Sequence, residues 1–231
     1  MSIAENHARV QERIAAAAFR SGRKPEEIKL LAVSKTFPPE EIRAAYDTGL
    51  RAFGENRVQE FAGKIAALRD LSEAEWHLIG HLQTNKAAQS AELFGHIDSV
   101  DSVRLARKLN SAASDLSKKL SVLIEINIGG EAAKSGVPPD SPELESLLKA
   151  APELPSLAFR GLMTVPPYSD DPAQSAPYFR KMRELSNAIA GRRLPTVSME
   201  ILSMGMSHDY EIAIEEGATC VRIGTALFGS R

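Results

Sequence analysis

Eight short apolar segments, each ended by glycine, proline or polar residues, recur along the chain with stretches of helical period between them. They fall at 30–34, 51–54, 76–80, 97–100, 122–128, 159–164, 200–203 and 219–224. The helical patterns lie at 39–49, 56–69, 85–93, 102–118, 142–150, 173–191 and 206–216. Strand and helix alternating through the whole length predict a parallel sheet, because a parallel pair needs a long crossover that a helix supplies. A count of eight predicts closure into a barrel. Only residues 225–231 follow the eighth strand, so the helix expected there is missing. An amphipathic helix over 3–20, with Ser2 as its cap and Gly22 as its stop, is placed to fill that gap in the outer ring. The expected fold class is α/β: a single (β/α)8 TIM-barrel domain over residues 1–231 with an additional N-terminal helix. No linker or low-complexity run divides the chain.

The first strand ends abruptly at Lys35, and Pro38 and Pro39 forbid its continuation. Lys35 is therefore expected at a strand's carboxyl end, where barrel and open-sheet proteins gather their ligands. An amine at a partly dry mouth can form a Schiff base with a carbonyl compound. Composition narrows the alternatives. A formal net charge of -2 gives no basic face for nucleic acid or an anionic membrane. The single cysteine, Cys220, rules out a disulfide within the chain and reads as a buried structural thiol. No segment resembles a secretion signal or a membrane span, so a cytoplasmic location is the expectation, and a monomer is expected.

In a barrel, the first residues past each strand share one rim. Strand two contributes Gly54, Glu55 and Asn56, and Asn56 reads either as a ligand contact or as a helix cap. Strand three contributes His81 among polar residues, read as a solvated or structurally bonded loop histidine. Strand five runs into the glycine-rich stretch 127–136, which suits a mobile flap, and a Pro-rich loop at 165–172 follows strand six at the same mouth. Strands seven and eight end in mostly small residues, Ser203, Gly205 and Ser207 with Met204 among them, then Gly224 and Thr225, where backbone N–H groups can cradle a phosphate. Arg222 can point into the mouth, where a ring nitrogen or a carboxylate would answer it. An amine facing a phosphate cup suits an aldehyde that carries a phosphate. Pyridoxal phosphate leads, and a phosphorylated sugar in an aldolase comes next. No metal site is expected, because none of the five histidines shows helical HxxxH spacing.

The stretches AVSKT at 32–36, FGENRVQE at 53–60, WHLIGHLQTNK at 76–86, GLMT at 161–164, LSMGMS at 202–207 and VRIGTALFG at 221–229 together resemble the pyridoxal phosphate homeostasis protein family, also called the proline synthase co-transcribed family. The resemblance runs from about residue 5 to the end in the family's order. It implies a barrel similar to the N-terminal domain of alanine racemase, with pyridoxal 5'-phosphate held as a Schiff base on Lys35. It also implies Arg222 as partner of the pyridine nitrogen and Asn56 near the ring. Ser203, Gly205, Ser207, Gly224 and Thr225 surround the phosphate on this reading, and Met204 counts among the cofactor-binding residues. Many members carry a second lysine where this chain has Phe37, while Lys134 keeps the family's flap lysine.

Physical chemistry separates a carrier from an enzyme. Pyridoxal catalysis draws on a protonated ring nitrogen, and an arginine at that nitrogen disfavours the proton. Racemisation also needs an acid or base on each face. In the resembled racemase one of them comes from a second domain, and this chain ends soon after strand eight. The expected function is a pyridoxal phosphate carrier in vitamin B6 and amino-acid homeostasis, with pyridoxal phosphate-dependent apoenzymes as recipients. The alternatives are an amino-acid racemase or other lysine-based barrel enzyme, and an interaction protein that senses the cofactor.

Overall fold

The computed structural model describes residues 2–229. Eight strands close into one parallel barrel in sequence order: β1 Lys29–Val33, β2 Ala52–Glu55, β3 Glu75–Leu78, β4 His96–Val100, β5 Leu120–Glu125, β6 Leu157–Met163, β7 Val197–Met206 and β8 Cys220–Ile223. Each strand is shorter than the helical crossover that follows or precedes it, as parallel pairing requires. Closure is made by β1 against β8, with Leu31 opposite Arg222 and Ala32 opposite Ile223. Alternate residues divide between two cores. Leu30, Ala32, Val122, Ile124, Val221 and Ile223 pack outward against the helices, while Leu31, Ala52 and Cys220 form a small cluster inside the barrel with Ile79 and Ile201.

The surrounding helices are α1 Ile3–Arg20, α2 Pro39–Asp47, α3 Val58–Lys64, α4 Ala87–Leu93, α5 Val103–Asp115, α6 Pro142–Ala150, α7 Ala176–Gly191, α8 Tyr210–Glu215 and α9 Thr225–Phe228. Ser2 starts α1 with a reciprocal capping box to Glu5. The expectation that α1 fills the outer ring holds: it packs on α8 and α9, Asn6 Nδ2 donates to Leu227 O at 2.8 Å, and Arg20 pairs with Glu211 and Glu215. No described helix is long and apolar enough to cross a membrane.

The structure corrects several boundaries. The helix thought missing after the eighth strand is present as the single turn α9. β7 continues to Met206, through residues expected to form a loop, and the helix expected over 206–216 begins only at Tyr210. The registers of β6 with β7 and of β7 with β8 both slip, and the slips absorb the extra length. A Cβ at Gly161 would lie 1.8 Å from Ile201 O, so only glycine lets β6 approach β7 there.

Candidate functional site

Lys35 is presented by a tight turn two residues past β1. Phe37 N donates to Ser34 O at 3.1 Å, and Thr36 takes the left-handed conformation with φ 67°, which costs a β-branched residue strain. Thr36 N is answered by Glu60 Oε1. Beneath the turn is a buried cluster. Ser34 Oγ donates to Glu55 Oε1 at 2.7 Å, and Lys64 Nζ reaches both Glu55 oxygens and Ser34 O at 3.2 Å. Burial raises the Glu55 carboxyl above its ordinary value, against the pull of Ser34 and Lys64. The cluster ties the ends of β1 and β2 together and fixes the root of Lys35.

Lys35, Asn56, Ser207, Arg222, Gly224 and Thr225 line one cavity of about 540 Å3 at the C-terminal mouth. Asn56 is no helix cap, because Arg57 holds the N-cap position of α3. Its placement depends on Gly80, where a Cβ would stand 2.2 Å from Asn56 O. Arg222 is 3 % exposed, and its guanidinium donates to Ser203 Oγ at 2.8 Å and Thr164 O at 2.7 Å. Burial lowers its pKa, yet a guanidinium stays cationic in such a site.

The turn after β8 supplies amides. Gly224 N and Ala226 N both donate to Ser207 Oγ, at 3.2 and 3.4 Å, so two N–H groups converge on one oxygen where a ligand oxygen could replace it. Asp209 holds the loop before α8. Its Oδ1 accepts from Met206 N at 2.7 Å and its Oδ2 from Ser175 Oγ at 3.1 Å.

Three expected residues do not line the cavity. Ser203 supports Arg222 from below, Met204 is fully buried in the outer core, and Gly205, with φ 90°, lets β7 press on α8, where a Cβ would stand 2.5 Å from Ala213 Cβ. In their place Val33, Ile79 and Met206 contribute apolar wall. Val33 is the last residue of β1 and Lys35 lies in the turn that follows it, and both reach the cavity.

The 127–136 stretch is tied at its ends by a bridge between Ile126 and Val137, and Lys134 Nζ donates to Pro166 O at 3.0 Å over the mouth. His81 is an exposed loop residue paired with Asp101 at 3.3 Å.

Sequence reading missed Glu125, the last residue of β5. Burial pushes its carboxyl up to about 7, with Asp101 adding to the shift and Arg222 opposing it. Among the described residues its Oε2 has no hydrogen-bond partner. A second concavity, of about 580 Å3, lies between α4 and α5 and is lined by Arg104, Lys108 and Asp115. It shares no lining residue with the mouth cavity and gathers no buried polar group.

In class, the molecule is a closed (β/α)8 barrel whose working end pairs a turn-held lysine with a buried arginine and convergent amides. The family model described as alanine racemase, N-terminal domain matches residues 6–231. The pyridoxal phosphate homeostasis protein of Aquifex aeolicus is 49% identical over 231 residues, covering 100% of this chain and 99% of the relative. That of Escherichia coli K12 is 47% identical, covering 99% and 97%. Among solved structures, PipY of Synechococcus elongatus PCC7942, determined with PLP bound, superimposes with a TM-score of 0.82 at 38% identity, covering 95% of this chain and 100% of that one. The chain belongs to the pyridoxal phosphate homeostasis protein family.

Proposed function

We propose that the protein binds pyridoxal 5'-phosphate at the barrel mouth and serves cytoplasmic cofactor and amino-acid homeostasis as a monomeric carrier, not as a catalyst. One observation carries the reading: Lys35 and the amides converging on Ser207 Oγ open into the same cavity, with Arg222 on its floor. These donors fit the group. A primary amine suits an aldehyde, paired N–H groups suit a phosphate oxygen, and a guanidinium suits the lone pair of a ring nitrogen. The relatives' names and the PLP-bound PipY structure support the same ligand.

The cofactor supplies a reversible covalent handle and, when its ring nitrogen is protonated, an electron sink. Arg222 has only donors, two of them committed to Ser203 and Thr164, so it cannot accept a proton from that nitrogen or stabilise one there. Lys35 holds the ligand, the turn at 34–37 orients the amine, and Val33 and Ile79 exclude water from it. A recipient apoenzyme would take the cofactor when an amine of its own replaces the Lys35 nitrogen at the aldehyde carbon and Lys35 leaves as the free amine.

The test is the absorbance of protein incubated with pyridoxal phosphate, followed by borohydride reduction and mapping of the modified residue. A reducible absorbance band and label at Lys35 are expected, and both are lost in Lys35→Ala. Label elsewhere, or a band that survives in Lys35→Ala, overturns the assignment. Lys35-dependent exchange of α-deuterium from labelled amino acids would overturn the carrier reading in favour of a racemase.

A further inference from the structure

The opposite end of the same barrel gathers a second set of ligating side chains. Glu75 and His77 come from β3, and His96 stands opposite His77 on β4. The Glu75 Oε2 oxygen is 3.8 Å from His77 Nε2 and 3.9 Å from His96 Nε2, and one ligand atom from each of the three residues lies within 4.8 Å of the others. The imidazoles stack with centroids 4.0 Å apart and planes 13° from parallel. Behind them Asp98, 2 % exposed, meets His77 Nδ1 at 3.0 Å. That contact commits Nδ1 to Asp98 and turns Nε2 toward Glu75, the arrangement by which a carboxylate orients a metal-ligating histidine. Lys29 of β1 sets its ammonium against the same Glu75 oxygen and 3.5 Å from His77 Nε2.

We propose that Glu75, His77 and His96 form a binding site for one divalent metal ion of the zinc class, whose place the Lys29 ammonium holds until the ion displaces it. Two imidazoles and a carboxylate are a zinc donor set that leaves a fourth position for water. Magnesium and calcium prefer oxygen ligands and are disfavoured by the two nitrogens. A tetrahedral centre with bonds of about 2.1 Å sets its ligands about 3.4 Å apart, so the separations of 3.8 and 3.9 Å must close slightly and the stacked imidazoles must turn out of parallel for both Nε2 lone pairs to meet the ion, a rotation open to the partly exposed His96.

Charge supports the exchange. With Lys29 withdrawn, Glu75 and Asp98 present two negative charges to an ion carrying two positive ones. The Lys29 and Glu75 side chains are 39% and 47% exposed, which gives the ion an entry path and the lysine somewhere to go. The bound ion would clip β3 to β4 at the base, remote from Lys35, and stabilise the barrel by mass action.

The test is titration of the full chain with Co2+, read by visible d–d absorption, with Zn2+ in competition and thermal melts in parallel. Wild-type protein is expected to bind one ion, and Zn2+ should raise its melting temperature. Lys29→Met should bind about tenfold more tightly. Glu75→Gln and His96→Asn should lose at least about tenfold, and Asp98→Asn about tenfold through misorientation of His77. His96 and Glu75 are partly exposed, so these variants should fold, and circular dichroism checks that they do. Lys35→Ala should bind metal as wild type does, which separates this site from the mouth. The proposal is overturned if neither wild type nor Lys29→Met binds cobalt, or if His96→Asn and Glu75→Gln bind it with unchanged affinity.

Discussion

The two ends of the barrel both place charge inside a small interior, and they treat it in opposite ways. At the base, Glu75 is drawn down to about 2 by His77, against partial burial and with help from Lys29. At the mouth, burial pushes Glu125 up to about 7. The base answers its charges with one another: Lys29 with Glu75, and His77 with Asp98. The mouth leaves a Glu125 oxygen unanswered among the described residues, beside a buried arginine. Stability and chemistry are commonly split between the two faces of such barrels, because the loops that vary all leave from the carboxyl ends while the amino ends need only be closed. Glu125 shows the cost of the working end in a single residue.

Breaking the base should cost the most. Asp98→Ala removes the carboxylate that meets His77 Nδ1 and leaves a cavity, and a loss of about 3 kcal/mol is expected in urea unfolding. The absorbance of bound pyridoxal phosphate should persist in the folded fraction, since Asp98 does not line the mouth cavity and acts on Arg222 there only through its charge. A lost band with unchanged stability would place the dependence at the wrong end. Gly80→Ala should do the reverse. Its Cβ would meet the Asn56 backbone, so Asn56 must move, at a cost of about 2 kcal/mol. Cofactor affinity should fall about tenfold, because a shifted wall group loses about 1.4 kcal/mol of contact. Spectrophotometric titration of the refolded variant measures it, and wild-type affinity would show that Asn56 plays no part in binding.

The same contrast explains what was legible in the sequence. Lys35 could be read because an apolar run stopped by prolines announces a strand end, and a strand end in a barrel has a known side. The barrel itself followed from the β-α alternation. β7 was read too short because 203–206 is built of small residues and methionine around Gly205, a composition that signals a loop. Pressure from α8 and a slipped register against β8 make it strand instead. α9 escaped because it is a single turn, below the length at which a period can be seen. Glu125 was read as an interior strand residue because the apolar run continues to Ile128, and only the structure ends β5 beside it. His77 and His96 have no motif spacing at all. Pairing of β3 with β4 makes them neighbours, and a single sequence does not print strand register.

Glu125 gives the smallest effect and the sharpest measure of the difference between the ends. Its folded pKa, about 7, lies above the ordinary 4.5, so the folded barrel prefers the protonated acid. The stability this preference contributes is fully present below the ordinary value and is lost as pH rises through about 7. Glu125→Gln keeps the shape, removes the titration and leaves a neutral amide beside Asp101 and Arg222. Wild type should therefore lose about 1–2 kcal/mol relative to the variant between pH 5 and pH 8, with the side chain's partial exposure trimming the full linkage value. Urea midpoints of both cofactor-free proteins at the two pH values give the difference directly. Parallel stability curves would mean that Glu125 is ionised throughout, and that Arg222 neutralises the mouth as completely as Lys29 and His77 neutralise the base.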